Sequence, residues 1–476
     1  MNSRSILWFR RDLRISDHPA LLAALAESDE IIPVFILDPT LIKTAGSKRL
    51  AYLGQSLHHL DDSLNKSLQV LVGDQITVLK DLQKKYNAPS VHISAEYEPY
   101  GAKRDLSVEA AGIKLIRTGS PYAVAPGRVL KPSDQSPYRV YTPFYRGWCA
   151  HGWRKPADKP KVINAVKAEA SDRNFPDWKL PEGTNITPAG EVAAIERFKY
   201  FQKNGLDDYD VTRNLAGIDG TSKMSAHLKW GEIHPRTLLA PLGDSKAHDV
   251  YRKEIAWREF YAEVAYQRPD TITDYFNPLY AQMQYDTGTE ADEKFSAWCE
   301  GRTGYPFVDA GMRQLRAEGW MHNRVRMVVA SFLLKDLHIE WQRGANYFFD
   351  WLLDGDFASN SHGWQWTAGC GTDASPYYRV FNPIGQGIKF DPNGEYVRKY
   401  IPELAHIPGG AVHEPWNVPG AFDHGYPEPI VDHAAERLEA LDRLSKLPKG
   451  VQVAQNPHDD DLKLKPVKKA AKPKGK

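Results

Sequence analysis

The first 117 residues leave this chain few folds to choose from. Short apolar runs, ILWF (6–9), IIPVFIL (31–37), QVLV (69–72), SVHIS (90–94) and IKLI (113–116), alternate with longer segments of helical pattern such as PALLAALAES, KRLAYLGQSLHHLDDSL and GAKRDLSVEAAG. Alternation of strand and helix builds a parallel, doubly wound α/β sheet. Ligands of such sheets sit at the carboxyl ends of strands, which draws attention to Arg10, Arg11, Asp12 and Asp38. No GxGxxG follows the first strand, and its absence disfavours a flavin-free oxidoreductase using NAD.

The pattern then changes. Residues 122–187 are rich in Pro, Lys, Asp and Ser without sustained periodicity, and read as a long surface connection, with PYRVYTPFYRGW (Pro137–Trp148) closing the first unit. After Gly190 the chain is helical and stays so. The expected division is an α/β unit at 1–130, a linker at 131–189, an all-α unit at 190–450 and a basic, disordered tail at 451–476.

Net charge is +1, yet residues 462–476 carry seven lysines and no acid, so the rest of the chain stands at −6. A surface for a polyanion must then come from clustered positive charge, not from a basic bulk. The tail either adds salt-sensitive DNA affinity or only solubilises the chain. Cys149, Cys299 and Cys370 are too few and too scattered for a disulfide framework or a CxxC metal site, which points to a reducing cytoplasm and no metal. No signal peptide precedes SILWF, and no apolar run reaches membrane-spanning length. The 13 Trp and 23 Tyr suit either a large core or stacking on bases and flavins.

The residues from Gly319 to Gly369 hold the densest chemistry. Met321, Val325, Val328, Val329, Phe332 and Leu333 share a helical face that His322, Asn323, Arg324 and Arg326 interrupt. A buried Arg326 requires an anion, and Asp354 and Asp356 offer one, but two carboxylates one residue apart repel unless a cation or donor lies between them. A bound molecule with NH and OH groups would satisfy the set. Upstream, Thr221 and Ser222 in GTSKMSAHLKW look like a helix start suited to phosphate. Glu254, Trp257, Arg258 and Tyr261 recur at three and four spacing and share a face.

GWMHNRVRM, DGDFASNSHGWQW and FNPIGQGIKFDPNGEYVRKYIPEL resemble the photolyase and cryptochrome family, and within it the bacterial class I cyclobutane pyrimidine dimer photolyases; the match runs from about Ile6 to Pro429. The resemblance implies an α/β antenna-binding unit, a helical unit binding FAD and DNA, and a light-driven repair enzyme that splits pyrimidine dimers with an electron from reduced FADH⁻. The lesion would be flipped out of the duplex, for which photolyases are a standing example. UV-damaged DNA would be the partner, and the working form a monomer.

By the same resemblance, FAD would be held by Tyr209, Thr221, Ser222, Lys223, Met224, Ser225, Arg258, Arg326, Asp354, Gly355, Asp356 and Asn360, with Asn360 facing flavin N5. Glu254 and Asn323 would hydrogen-bond the lesion, and with Asn360 form the catalytic set. Trp257, Tyr261, Met327 and Trp366 would wall the lesion pocket, while Arg213, Arg324 and Arg379 would hold DNA phosphates. Trp364, Trp341 and Tyr285 would form the photoreduction chain, with Trp298 as the alternative terminus because the usual third Trp is a Tyr here. EPYGAKRD (98–105) is similar to the subgroup whose antenna is 8-hydroxy-5-deazaflavin, favoured over methenyltetrahydrofolate, with Arg11, Asp38 and Arg104 as its candidate ligands.

Two rivals share the flavin pocket. A cryptochrome-type blue-light photoreceptor fits less well, because only a short tail follows the homologous core and Glu254, Asn323 and Trp366 are kept together. A (6-4) photoproduct photolyase would want paired histidines, and MHNR supplies only His322.

Overall fold

The computed structural model describes residues 2–372 and 378–448, so the lysine-rich tail lies outside the described residues. The five apolar runs form β1 Arg4–Phe9, β2 Glu30–Leu37, β3 Gln69–Val72, β4 Ser90–Ile93 and β5 Lys114–Arg117, all parallel, in the order β3-β2-β1-β4-β5. Apolar side chains on both faces of β1 are buried, as a parallel sheet covered by helices requires. Winding reverses at β1, which opens a crevice beyond the ends of β1 and β4. Asp12 and Ser94 close its floor with a 2.6 Å hydrogen bond, and Arg10 pairs with Asp105 at 2.6 Å.

The connection to the helical unit departs from its expected course. Pro137–Trp148 does not close the α/β unit: its helix, Tyr141–His151, packs on the Lys246–Gln267 helix. Tyr141, Phe144 and Trp148 form one apolar stripe, and Trp148 Nε1 donates to the buried carboxylate of Glu259 at 2.7 Å. Period alone says that such a stripe needs a partner, not which unit supplies it. Farther on, the linker is not a free surface strap either. Ala165 pairs in parallel with Ile31 and Arg173 with Val70, so the chain returns along the sheet before entering the helices.

The helical unit is organised around three consecutive helices, Asn323–Lys335, Trp341–Trp351 and Phe357–Ala368. Their inner faces bury Val325, Val329, Phe332, Leu333, Trp341, Phe348 and Trp364 in one core. Asp356 caps the last of the three by accepting from Ser359 N at 3.0 Å, and Gly369 ends it at φ 85°. The two units meet closely at Gly231: a Cβ there would lie 2.0 Å from the Arg11 carbonyl oxygen, and φ of +67° itself favours glycine. Among the described residues no helix is long and apolar enough to cross a membrane.

Candidate functional site

The short loop from Asp354 to Asp356 sets the geometry. Gly355 separates the two carboxylates, which are drawn to different cations. Arg326 Nη2 lies 2.8 Å from Asp354 Oδ2, and its Nε donates to the Met321 carbonyl at 2.8 Å. The second oxygen, Asp354 Oδ1, is buried with no partner among the described residues. Asp356 Oδ2 lies 3.0 Å from Arg11 Nη2, at the end of β1 in the other unit. Burial pushes the Asp356 carboxyl up, but the charges of Arg11, Lys229 and Arg258 outweigh that and hold it well below the usual carboxylate range.

Arg11, expected among the antenna ligands, is buried between Glu96, Glu98 and Asp356 and joins the two units through Asp356. Sequence reasoning missed Glu98 and Lys229 as members of this cluster, although Glu98 opens the EPYGAKRD motif. For Glu98, burial outweighs Arg11 and Lys229 and raises its carboxyl. The other two antenna candidates stay in the α/β unit. Asp38 accepts from Thr40 N at 2.9 Å and from the Tyr100 hydroxyl, and Arg104 bonds Asp105 while covering the Trp8 ring at 4.8 Å.

The expected helix start at Thr221–Ser222 is not one. The helix runs Ser225–Trp230, and Met224 precedes it without a side-chain cap. Arg197, which no motif signalled, draws in the carbonyls of Thr221 and Ser222 while pairing with Asp219 at 2.7 Å. These bonds and the left-handed Lys223 (φ 56°) give the segment a looped path. Tyr209 is buried edge-on against Tyr251 at 5.2 Å. Arg258 Nη1 donates to the Pro121 carbonyl at 3.1 Å, and its guanidinium covers the Tyr122 ring at 4.8 Å. Asn360 Nδ2 donates to the Ala345 carbonyl at 2.9 Å.

The second half of the site lies on the Lys246–Gln267 and Asn323–Lys335 helices. Glu254 pairs with Arg213 at 2.7 Å, so two groups expected to act separately are one ion pair. Arg324 holds Asn214 Oδ1 at 2.7 Å, lies over the Phe390 ring and has its Nη1 3.8 Å from Met327 Sδ. Burial, with Arg213 and Arg379 nearby, lowers its guanidinium to about 10. Asn323 is exposed at the start of its helix, next to His322, whose ring caps it by accepting from Arg324 N. Trp257 has one face already covered: Tyr141 stacks on it at 3.6 Å and 5°, and the Tyr261 ring lies 5.4 Å away. Tyr141 was not foreseen as a site residue, though the aromatic run PYRVYTPFYRGW announced it. Trp366 Nε1 is buried without a partner among the described residues.

Residues 5–161 match the family described as DNA photolyase, and residues 251–446 match the FAD binding domain of DNA photolyase. A deoxyribodipyrimidine photo-lyase of Agrobacterium fabrum is 38% identical over 466 residues, covering 92% of this chain and 96% of that one. The chain belongs to the DNA photolyase family. Among solved photolyase structures, a bacterial class III photolyase from Agrobacterium tumefaciens superposes with TM-score 0.87 at 36% identity, covering 94% of this chain and 98% of that one. An archaeal photolyase from Sulfolobus tokodaii, solved with two FAD molecules, gives TM-score 0.82 at 29% identity over 93% and 100% of the two chains.

The residues present fit the flavin that this photolyase family binds. Asp354 Oδ1 and Trp366 Nε1 are a buried acceptor and a buried donor without partners among the described residues, and leaving such groups unmet costs about 1–3 kcal/mol each. Asp354 is held by Arg326, Asp356 by Arg11 and Ser359 N, and Asn360 by the Ala345 carbonyl, which leaves lone pairs for a ligand.

Proposed function

We propose that this protein is a light-driven DNA repair enzyme that splits cyclobutane pyrimidine dimers, working as a monomer on UV-damaged DNA in the cytoplasm. The observation that carries the reading is the clustering of Arg213, Arg324 and Arg379: Glu254 pairs with Arg213 at 2.7 Å, yet burial and the neighbouring arginines still lower the Arg324 guanidinium to about 10, an excess of positive charge suited to a polyanion. FAD, when bound in its reduced form, supplies an excited electron to the lesion.

The chain supplies everything else. Arg326 and Asp354 form a fixed dipole against which a flavin's NH and OH groups orient, and Asp356 is held ionised by Arg11. Tyr209 and the 221–225 loop provide the wall for the diphosphate. On the lesion side the free face of Trp257, with Met327 and Trp366, makes an apolar pocket that excludes water. Glu254 and Asn323 meet the pyrimidine edges there, and Arg213, Arg324 and Arg379 clamp the backbone. Donors and acceptors already in place stabilise transient charge without reorganisation.

The class I subgrouping rests on the motifs of the sequence, while the Agrobacterium structure is of a class III enzyme. For the antenna we favour 8-hydroxy-5-deazaflavin, bound near Trp8, Asp38, Tyr100 and Arg104. Single-turnover repair tests the reading: reduced protein is mixed with an oligonucleotide bearing one thymine dimer, or one (6-4) photoproduct, in blue light or in darkness. Repair of the dimer in light alone supports it. Repair of the (6-4) lesion instead, or of neither, overturns it, and failure on both favours a photoreceptor.

A further inference from the structure

We propose that the electron-donating chain ends at Tyr275, with Glu340 taking the tyrosine's proton, and not at Tyr285 or Trp298. The proposal rests on Trp364 and Trp341 being the first two carriers.

Trp364 presses against the helix that begins with Trp341. A Cβ at Gly344, one turn from Trp341, would lie 2.2 Å from Trp364 Cη2, so only glycine admits that indole. Trp341 itself is 1% exposed, and its Nε1 has no hydrogen-bond partner among the described residues. Once oxidised it has nowhere to send a proton. It is also the first residue of the Trp341–Trp351 helix, where the positive end of the helix dipole disfavours a radical cation. Positive charge on Trp341 must therefore move on.

The ring next to Trp341 is Tyr275, edge-on at 6.1 Å and 87°. Its hydroxyl donates to Glu340 Oε1 at 2.7 Å, and Glu340 is exposed. An oxidised phenol is a strong acid, and this one already points its proton at a carboxylate open to water. Tyr285, where the resemblance would place the third carrier, is partly buried near Tyr275.

The other branch runs uphill for a positive charge. Trp298 lies 6.1 Å from Trp364 but is wholly buried, and its Nε1 donates to a neutral carbonyl, that of Val329, at 3.0 Å. Beyond it, Tyr347 at 5.7 Å leads to Trp351, over whose ring lie Lys48 at 4.7 Å and Arg316 at 5.5 Å. One route ends under two cations and the other beside a carboxylate, and Coulomb's law favours the second.

The step balances. Photoexcited oxidised FAD takes an electron from Trp364, which Trp341 refills. Tyr275 gives one electron to Trp341 and its hydroxyl proton to Glu340, leaving a neutral tyrosyl radical and a carboxylic acid. A thiol reductant in solution returns the electron, and the proton comes back from Glu340.

Flash spectroscopy of protein loaded with oxidised FAD tests this. Wild type should show a tryptophan radical that gives way to a neutral tyrosyl radical, formed more slowly in D₂O. Tyr275→Phe should lose the tyrosyl signal, and Tyr285→Phe should keep it. Glu340→Gln should slow its formation about tenfold or more, with partial recovery in Glu340→Asp. A tyrosyl signal that survives Tyr275→Phe, one abolished by Tyr285→Phe alone, or a long-lived radical removed only by Trp298→Phe overturns the proposal. If wild type forms no tryptophan radical, or Trp364→Phe leaves it unchanged, the route through Trp364 falls and the proposal with it.

Discussion

Arg11 Nη2 lies 3.0 Å from Asp356 Oδ2, tying the end of the first strand to the first turn of the Phe357–Ala368 helix across 345 positions of sequence. The contact joins the crevice of the α/β sheet to the wall of the proposed flavin pocket. It also supplies the largest of the charges, with those of Lys229 and Arg258, that hold a buried carboxylate ionised.

Removing Arg11 should therefore cost flavin. Arg11→Met removes the strongest of the three positive charges that hold the buried Asp356 ionised and leaves only Lys229 and Arg258 to oppose its burial, so folding stability should fall, by at most the cost of breaking a buried pair, about 3–5 kcal/mol. We expect a lower melting temperature and FAD that washes out of the purified protein. Arg11→Met with Asp356→Leu should regain much of the stability but not the flavin. Unchanged flavin content in Arg11→Met, read from the visible spectrum, contradicts this.

Trp257 is held from behind by Tyr141, and the second prediction follows from that stack. Tyr141→Leu should weaken binding of dimer-containing DNA by about tenfold, the scale of one lost aromatic pair, and leave FAD binding intact. Tyr141→Phe keeps the ring and should bind nearly as wild type. Titration with a labelled lesion oligonucleotide checks both.

The arginine cluster should announce itself through salt. Replacing Arg324 by Gln removes one phosphate contact and should reduce the slope of log K against log salt by about one, with similar losses on damaged and undamaged DNA. A loss confined to damaged DNA would place Arg324 on the bases instead.

Two buried imidazoles set an acid limit. Burial, with Arg324 and Arg326 for His322, pushes both His322 and His362 down to about 4, though Asp356 pulls His362 the other way. An unfolded histidine titrates near about 6.5, so between these values the unfolded chain binds more protons. Their contribution is complete above about 6.5 and is lost as pH falls to about 4. The melting temperature should decline across that window, and less steeply in a variant carrying His322→Asn and His362→Gln, in which asparagine still caps the helix.

How much of this was legible beforehand depends on range. The five strands could be read because each is a short apolar run between helical segments, and the demand of Arg326 for an anion could be read because both lie in one dense stretch. What escaped is what the chain assembles from afar. Arg11 and Asp356 carry no mutual signal. The stripe of Tyr141, Phe144 and Trp148 declares an apolar face without naming the helix that covers it. Thr221 and Ser222 look like a cap by type, but Arg197 takes their carbonyls and moves the helix start to Ser225.

The central claim is that one cavity brings a reduced flavin and a flipped-out pyrimidine dimer within electron-transfer reach. The fluorescence lifetime of the reduced flavin, measured with the protein saturated by dimer-containing DNA and by the same DNA undamaged, tests it most directly. A lifetime shortened only by the dimer, with thymines restored in proportion, is the predicted result. Equal lifetimes on the two DNAs, with both shown to be bound, would contradict it.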